Sequence, residues 1–112
     1  MMTADEFRSL ALDFPESLEG SHFETADFRV AGKIFATLRA SNERAVLKLA
    51  PDQQRLLLET SAGMFQPVKG SWGEKGWTQV LLAASDIAAV RHAMAMAWRS
   101  VAPKTVVRRH GL

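Results

Sequence analysis

Apolar residues recur with two different periods along this chain of 112 residues. Phe7, Leu10, Ala11 and Phe14 stand at i, i+3, i+4 and i+7, the stripe of an amphipathic helix. Ahead of them, Thr3-Ala4-Asp5-Glu6 fits a capping box, with the Thr3 hydroxyl accepting from the Glu6 amide and the Glu6 carboxylate accepting from the Thr3 N–H. Pro15 ends the stripe, because the residue before a proline avoids the α region. A helix is predicted over 3–13, and residues 15–22 read as a polar connection. The period then falls to two. Phe28 and Val30 flank Arg29 as a strand, and Ala31-Gly32-Lys33 makes a short turn. In the next strand, 33–39, simple alternation puts Ile34, Ala36 and Leu38 on one face and Phe35, Thr37 and Arg39 on the other. Residues 41–44 form a turn, and 45–49 a third strand with Leu47 and Leu49 inward and Lys48 outward. Connections this short make the three strands an antiparallel meander.

Helical spacing returns at Pro51, which suits a first helical position. A short helix over 51–60 is expected to send Leu56 and Leu57 to the core. Residues 64–69 read as a fourth strand, placed at an edge by Pro67. Gly70, Gly73 and Gly76 punctuate a loop, and 77–82 form a fifth strand. Ser85, with Asp86 behind it, is the N-cap candidate of a last helix carrying Ile87, Val90, Met94, Ala97, Trp98 and Val101 on one stripe. Pro103 stops that helix. The reading is one α+β domain over 3–103, with an antiparallel sheet of about five strands and three helices in the order α-βββ-α-ββ-α. A basic tail over 104–112 follows it.

Composition narrows the class. With 47% apolar and 23% charged residues the chain is of ordinary globular type, not disordered. Cysteine is absent, which removes disulfides, thiolate metal sites and a cysteine nucleophile. No apolar run approaches the roughly 20 residues that span a bilayer. The start has no basic leader followed by an apolar stretch, so a cytoplasmic protein is expected. The formal net charge of +2 conceals an asymmetry. Residues 1–28 hold one base, Arg8, against seven acids; the remainder holds 13 bases against five acids. A basic surface of that kind attracts phosphate backbones through Coulomb attraction and counterion release. The plainer reading is that opposite faces are simply solvated.

Signs of catalysis are few. The glycines of 70–76 lack the following Lys-Ser/Thr of a phosphate loop and precede a strand, not a helix. There is no Gly-x-Ser-x-Gly elbow. His22, His92 and His110 fall on separate elements without i, i+4 metal-ligand spacing, and tyrosine is absent. Glu16, Glu19, Glu24 and Asp27 read as a solvated polar rim. No enzyme activity, metal or cofactor is expected.

The segment 69–77 is chemically the most distinctive. It gathers two indoles, two lysines and three glycines, the materials for stacking on bases and meeting phosphates, and its glycines suggest a flexible loop that reaches like a wing. Trp77 opens a strand and is expected in the core. Trp72 is either a loop anchor or a ligand contact. Lys48 could join Lys33, Phe35, Thr37 and Arg39 in a mixed basic and aromatic patch. Alternatively, a helix covers Phe35 and only the lysine tip reaches water.

At this point the chain resembles the MmcQ/YjbR-like family. The resemblance rests on Asp27-Phe28-Arg29-Val30-Ala31-Gly32-Lys33-Ile34-Phe35-Ala36, then Val46-Leu47-Lys48-Leu49 followed by Pro51, then Pro67, and finally Gly76-Trp77-Thr78-Gln79-Val80-Leu81-Leu82. It implies a small bacterial cytoplasmic protein of α+β fold, with a double-wing DNA-binding architecture related to the frataxin-like arrangement and no catalytic residues. Trp98 stands where that family often has Tyr. Together with the charge pattern, this gives the expectation of weak, non-specific DNA binding. Arg29, Lys33, Arg39, Lys48, Lys69 and Lys75 would meet phosphates, Trp72 would stack, and Arg108 and Arg109 would add a flexible basic arm. The alternative is a protein-interaction or small-ligand-binding domain with no nucleic-acid role.

Overall fold

The computed structural model describes residues 1–61 and 63–111. Ten elements carry the architecture: α1 (Ala4–Asp13), β1 (Ser17–His22), β2 (Thr25–Val30), β3 (Lys33–Arg39), β4 (Arg44–Lys48), α2 (Pro51–Thr60), β5 (Phe65–Pro67), α3 (Ser71–Glu74), β6 (Trp77–Val80) and α4 (Ile87–Val101). An eleventh, α5 (Lys104–Arg109), follows Pro103. The strands form one antiparallel sheet of six in the order β1-β2-β3-β4-β6-β5.

Local chemistry explains most element ends. Both bonds of the capping box at Thr3 and Glu6 are made, at 2.9 and 3.1 Å. The N-cap of α4 is Asp86, whose carboxylate accepts from the Ala89 amide at 2.8 Å; the Ser85 hydroxyl instead donates to the Leu81 carbonyl. The expected cap is thus displaced by one residue. Ala31-Gly32 turns β2 into β3 with both residues at positive φ, the geometry that matches the twist of a two-residue hairpin.

The helices cover one face of the sheet. Phe7, Leu10 and Ala11 of α1 and Val90, Ala93, Met94, Ala97 and Trp98 of α4 pack against Phe28, Ala36, Leu38, Ala45, Leu47 and Val80. Phe7 meets Phe28 edge-on, and Phe14 lies between Phe35 and Trp98 with centroids 6.3 Å from each. The Trp98 indole N–H donates to the Pro15 carbonyl at 3.1 Å, so a buried donor is satisfied while its ring fills the core. Leu57 of α2 joins this core; Leu56 is half exposed, contrary to the expectation that both turn inward.

Three features depart from the sequence reading. The 15–22 connection contains β1, an edge strand, making the sheet six-stranded. The tail folds as α5, whose Val106 enters the core, and is not a flexible arm. Finally, β3 carries a bulge: Phe28 pairs with Ala36 and Arg29 with Ile34, leaving Phe35 as an extra residue. An extra residue reverses the alternation beyond it. Phe35 therefore enters the core and Ile34 turns to the opposite face, which corrects the alternation expected for this strand.

Candidate functional site

Among the described residues no long helix lies across the second face of the sheet, and only the single turn of α3 borders it, through Trp72. Alternation and register place Leu18, Gly20 and His22 of β1 on it, beside Asp27 and Arg29 of β2 and Ile34, Thr37 and Arg39 of β3. Arg44, Val46 and Lys48 of β4 and Trp77 and Gln79 of β6 continue it. Two depressions meet at Ile34 and Thr37. One, of about 330 Å³, is floored by Ile34, Val46, Val68, Trp72 and Trp77 with Arg44 on its rim. The other, of about 580 Å³, runs to His22 and Phe23 and is rimmed by Arg29 and Arg39.

The tryptophan end is rigidly built. Gln54, buried on α2, donates to the carbonyls of Gly73 and Trp77 at 3.1 and 3.2 Å and lies 3.0 Å from the Thr78 hydroxyl. That hydroxyl donates to the Gly76 carbonyl at 2.9 Å. A Cβ at Gly73 would collide with the Val68 carbonyl, and one at Gly76 with the Leu49 carbonyl, so both glycines serve close packing. The 69–76 segment is accordingly a clamped turn around the single turn of α3, not the flexible wing expected. It presents Trp72, 58% exposed, edge-on to Trp77 with centroids 5.7 Å apart. Lys75 lies over the Trp72 ring and Lys48 over the Trp77 ring, each ammonium 5.5 Å from the centroid. Lys48 also donates to the Lys75 carbonyl at 3.1 Å. Trp77, expected in the core, lies half-buried on the open face because the inward positions of β6 belong to Thr78 and Val80.

The opposite end is the β1–β2 turn. Phe23 and Glu24 both have positive φ, at 47° and 65°. This left-handed pair suits a two-residue hairpin, but Asn and Gly adopt it readily whereas Phe and Glu cost roughly 1–2 kcal/mol each. The Phe23 ring is 85% exposed, with His22 packed edge-on at 4.3 Å. Nothing in the alternation pattern flags Phe23, since the turn falls between the 15–22 connection and the first strand read from the sequence.

Charges divide into two groups. Arg29 donates to Asp27 at 2.9 Å, Arg39 faces Glu24 at 3.6 Å, Arg91 faces Asp13 at 3.8 Å and Arg109 donates to Glu16 at 2.7 Å. Most of the acidic N-terminal segment is thus matched by bases from farther along the chain. The Asp27 hydrogen bond, followed by its charge, pushes the Arg29 pKa further up. Gly20 lies opposite Asp27, and a Cβ there would stand 2.9 Å from Asp27 Oδ1, so glycine makes room for this pair. Among the described residues, Lys33, Arg44, Lys48, Lys69 and Lys75 on the strands and the 69–76 turn have no carboxylate partner, and neither do Arg55, Arg99, Lys104 and Arg108 on the helices. Arg44 and Lys69 line one hollow with Gln66 and Gln79 at the β5 edge. Of the sequence candidates, Lys48, Lys69, Trp72 and Lys75 come together at the β4–β6 end, Arg29 and Arg39 lie at the β2–β3 end, and Lys33 sits exposed after the β2–β3 turn. Arg108 and Arg109 ride on α5, with Arg109 held at the α1–β1 junction, outside the lysine and tryptophan group. Arg44, Val46 and Ile34 were missed: the first was read as a turn residue, and the bulge that exposes Ile34 has no sequence signal.

A six-stranded antiparallel sheet with helices on one face and an open, aromatic second face defines an α+β sheet-platform protein. A family model described as YjbR matches residues 12–100, and the chain belongs to that family. The chain is also similar in fold to the crystal structure of Deinococcus radiodurans protein DR2400, a DUF419 domain. Identity is 23% and the TM-score 0.77, over 100% of this chain and 90% of that one. No curated protein matches. No helix among the described residues is long and apolar enough to cross a membrane.

Proposed function

We propose that this protein is a non-catalytic DNA-binding module whose contact surface is the open face of the sheet. One observation carries the reading: of the cations free of carboxylate partners, Lys75 and Lys48 lie over the Trp72 and Trp77 rings, Arg44 lines the same hollow, and Lys69 shares the neighbouring hollow with Arg44, all toward the open face of the sheet. Cations held this way meet phosphates without reading sequence, so binding is weak and indifferent to base order. Arg29 and Arg39 add less, because each already faces an acid.

Four phosphate contacts give a log K against log salt slope of about −3 to −4, from roughly −0.9 per contact on duplex and −0.7 on single strands. Fluorescence anisotropy with labelled DNA at 20–200 mM salt, on the order of the range where the counterion effect is large, measures it. The paired substitution Arg44→Glu and Lys69→Glu is expected to abolish binding, whereas Arg108→Glu leaves it nearly intact. Absence of binding at the lowest salt, or a flat salt response, would refute the proposal.

A further inference from the structure

We infer that the open face is a stacking platform for single-stranded DNA, with Trp72 and Phe23 as its two terminal stacking residues. This rests on the DNA-binding reading and specifies the form of its ligand. A duplex presents phosphates to its surroundings and keeps its bases stacked inside, so it has no use for an apolar floor. A single strand exposes ring faces, and an aromatic side chain on an open sheet face is the ordinary partner for them.

The observations converge on that occupant. The floor is apolar at the tryptophan end, made by Ile34, Val46 and Trp77 with Arg44 beside them, and turns polar toward Phe23, where Thr25, Thr37 and the Asp27–Arg29 pair line it and can meet the sugar and base edges of a strand. An exposed ring closes each end. Phe23 and Trp72 are separated across the sheet by three to four strand spacings, about 14–19 Å at ~4.8 Å each, and along the strands by at least the run from Arg44 to Lys48, about 13 Å at ~3.3 Å per residue. The diagonal of about 20–23 Å leaves room for roughly six or seven bases at the ~3.4 Å spacing of a stacked strand, within the site size of known single-strand platforms. Phe23 adds an independent argument. A bulky ring sits in solvent at a left-handed turn position that Asn or Gly would fill with less strain. Among the aromatic rings only His22 packs on it, and strain of this kind concentrates where a protein meets its ligand.

The test uses labelled 15-mer oligo(dT) and a 15-base-pair duplex, lengths on the order of the site sizes that single-strand platforms cover. Wild type is expected to bind the oligo(dT) more tightly than the duplex. Trp72→Ala and Phe23→Asn are each expected to weaken oligo(dT) binding by roughly 5- to 100-fold, the range for one lost base stack, and to leave duplex binding unchanged. Phe23→Asn carries a second readout: Asn suits the turn, so the melting temperature rises while affinity falls. Duplex binding equal to oligo(dT) binding, or both variants holding the oligonucleotide like wild type, would overturn the single-strand inference and leave the DNA-binding reading standing. Failure of both probes at low salt would overturn both.

Discussion

The two faces of this sheet use aromatic residues in opposite ways. On the helix-covered face, Phe7, Phe28, Phe35 and Trp98 are essentially removed from water, and the one polar atom among them, the Trp98 N–H, has its acceptor. On the open face, Trp72 and Phe23 are exposed, Trp77 is half-buried, and lysines cap two of the three rings. The first face lowers the free energy of the folded chain by removing apolar area from water, about 25 cal/mol per Å². The second leaves much of its aromatic area in water, where it contributes little to folding and stays available to a partner. A residue's type does not say which role it has; its parity on the strand and the presence of a helix above it do.

The most direct way to break this contrast is to truncate one tryptophan on each face. Trp98→Ala is expected to cost about 3–5 kcal/mol, the range for a large aromatic removed from a packed core, and it also orphans the Pro15 carbonyl contact. Trp72→Ala is expected to cost only about 0.5–1.5 kcal/mol, because a side chain more than half exposed loses its edge-on contact with Trp77 and the Lys75 ammonium but leaves no cavity in the core. Urea denaturation of both variants reads the difference. Similar losses for the two would mean that Trp72 is a structural anchor and that the open face is part of the core after all.

A smaller effect tests whether the open face owes its shape to the layer behind it. Gly76 has φ +107°, and a Cβ there would strike the Leu49 carbonyl. Gly76→Ala is therefore expected to destabilise the protein by about 1–3 kcal/mol through backbone strain. It should also displace the Trp72–Trp77 pair, seen as a shift in tryptophan emission. A variant with wild-type emission and stability would show that the turn is pliable, and the clamp formed by Gln54 and Thr78 would lose its assigned purpose.

What the sequence disclosed follows the same division. The helix-covered side was legible because its signals are local: a capping box at Thr3, Pro51 at a helix start, and stripes at i, i+3 and i+4 leading to Leu10 and Met94. The family membership, which the strand residues 27–36 and 76–82 suggested, stands. The open side was less legible because its determinants are relational. β1 reads Ser-Leu-Glu-Gly-Ser-His, with no apolar alternation, since this edge strand meets α1 through polar contacts such as Arg8–Glu19 at 2.7 Å. Phe35 and Ile34 exchanged faces because one bulge inverts parity. Trp77 looked like a core residue by its hydrophobicity, yet the small polar Thr78 took the inward position once Gln54 and the Gly76 carbonyl satisfied its hydroxyl. The grouping of Arg44 with Lys69 depends on β6 inserting between β4 and β5, an order that no local pattern encodes.

The smallest expected effect concerns α5, the element that the sequence left as a tail. Glu16 accepts from His110 Nε2 at 2.8 Å and from Arg109 at 2.7 Å; an ionised carboxylate only accepts, so the imidazole is the donor. The His110 hydrogen bond, opposed by desolvation and aided by the Arg109 charge, lowers the Glu16 pKa below the ordinary carboxylate value. Because the folded-state value lies below the unfolded one, the unfolded chain takes up the proton first as pH falls. The tether is thus intact above the ordinary carboxylate range and is lost as pH drops through the lowered value. Hydrogen exchange at the amides of α5 is expected to stay slow at neutral pH and to quicken, relative to the intrinsic rate, as the solution is acidified past that range. Glu16→Gln should give faster exchange at neutral pH and lose the acid-dependent step, while the amides of β3 and β4 keep their protection in both proteins. An acid step that persists in Glu16→Gln would assign the pH response to another carboxylate. Exposed tethers of this kind contribute little to global stability, so the opening of α5 should precede, and not accompany, loss of the sheet that carries the open face.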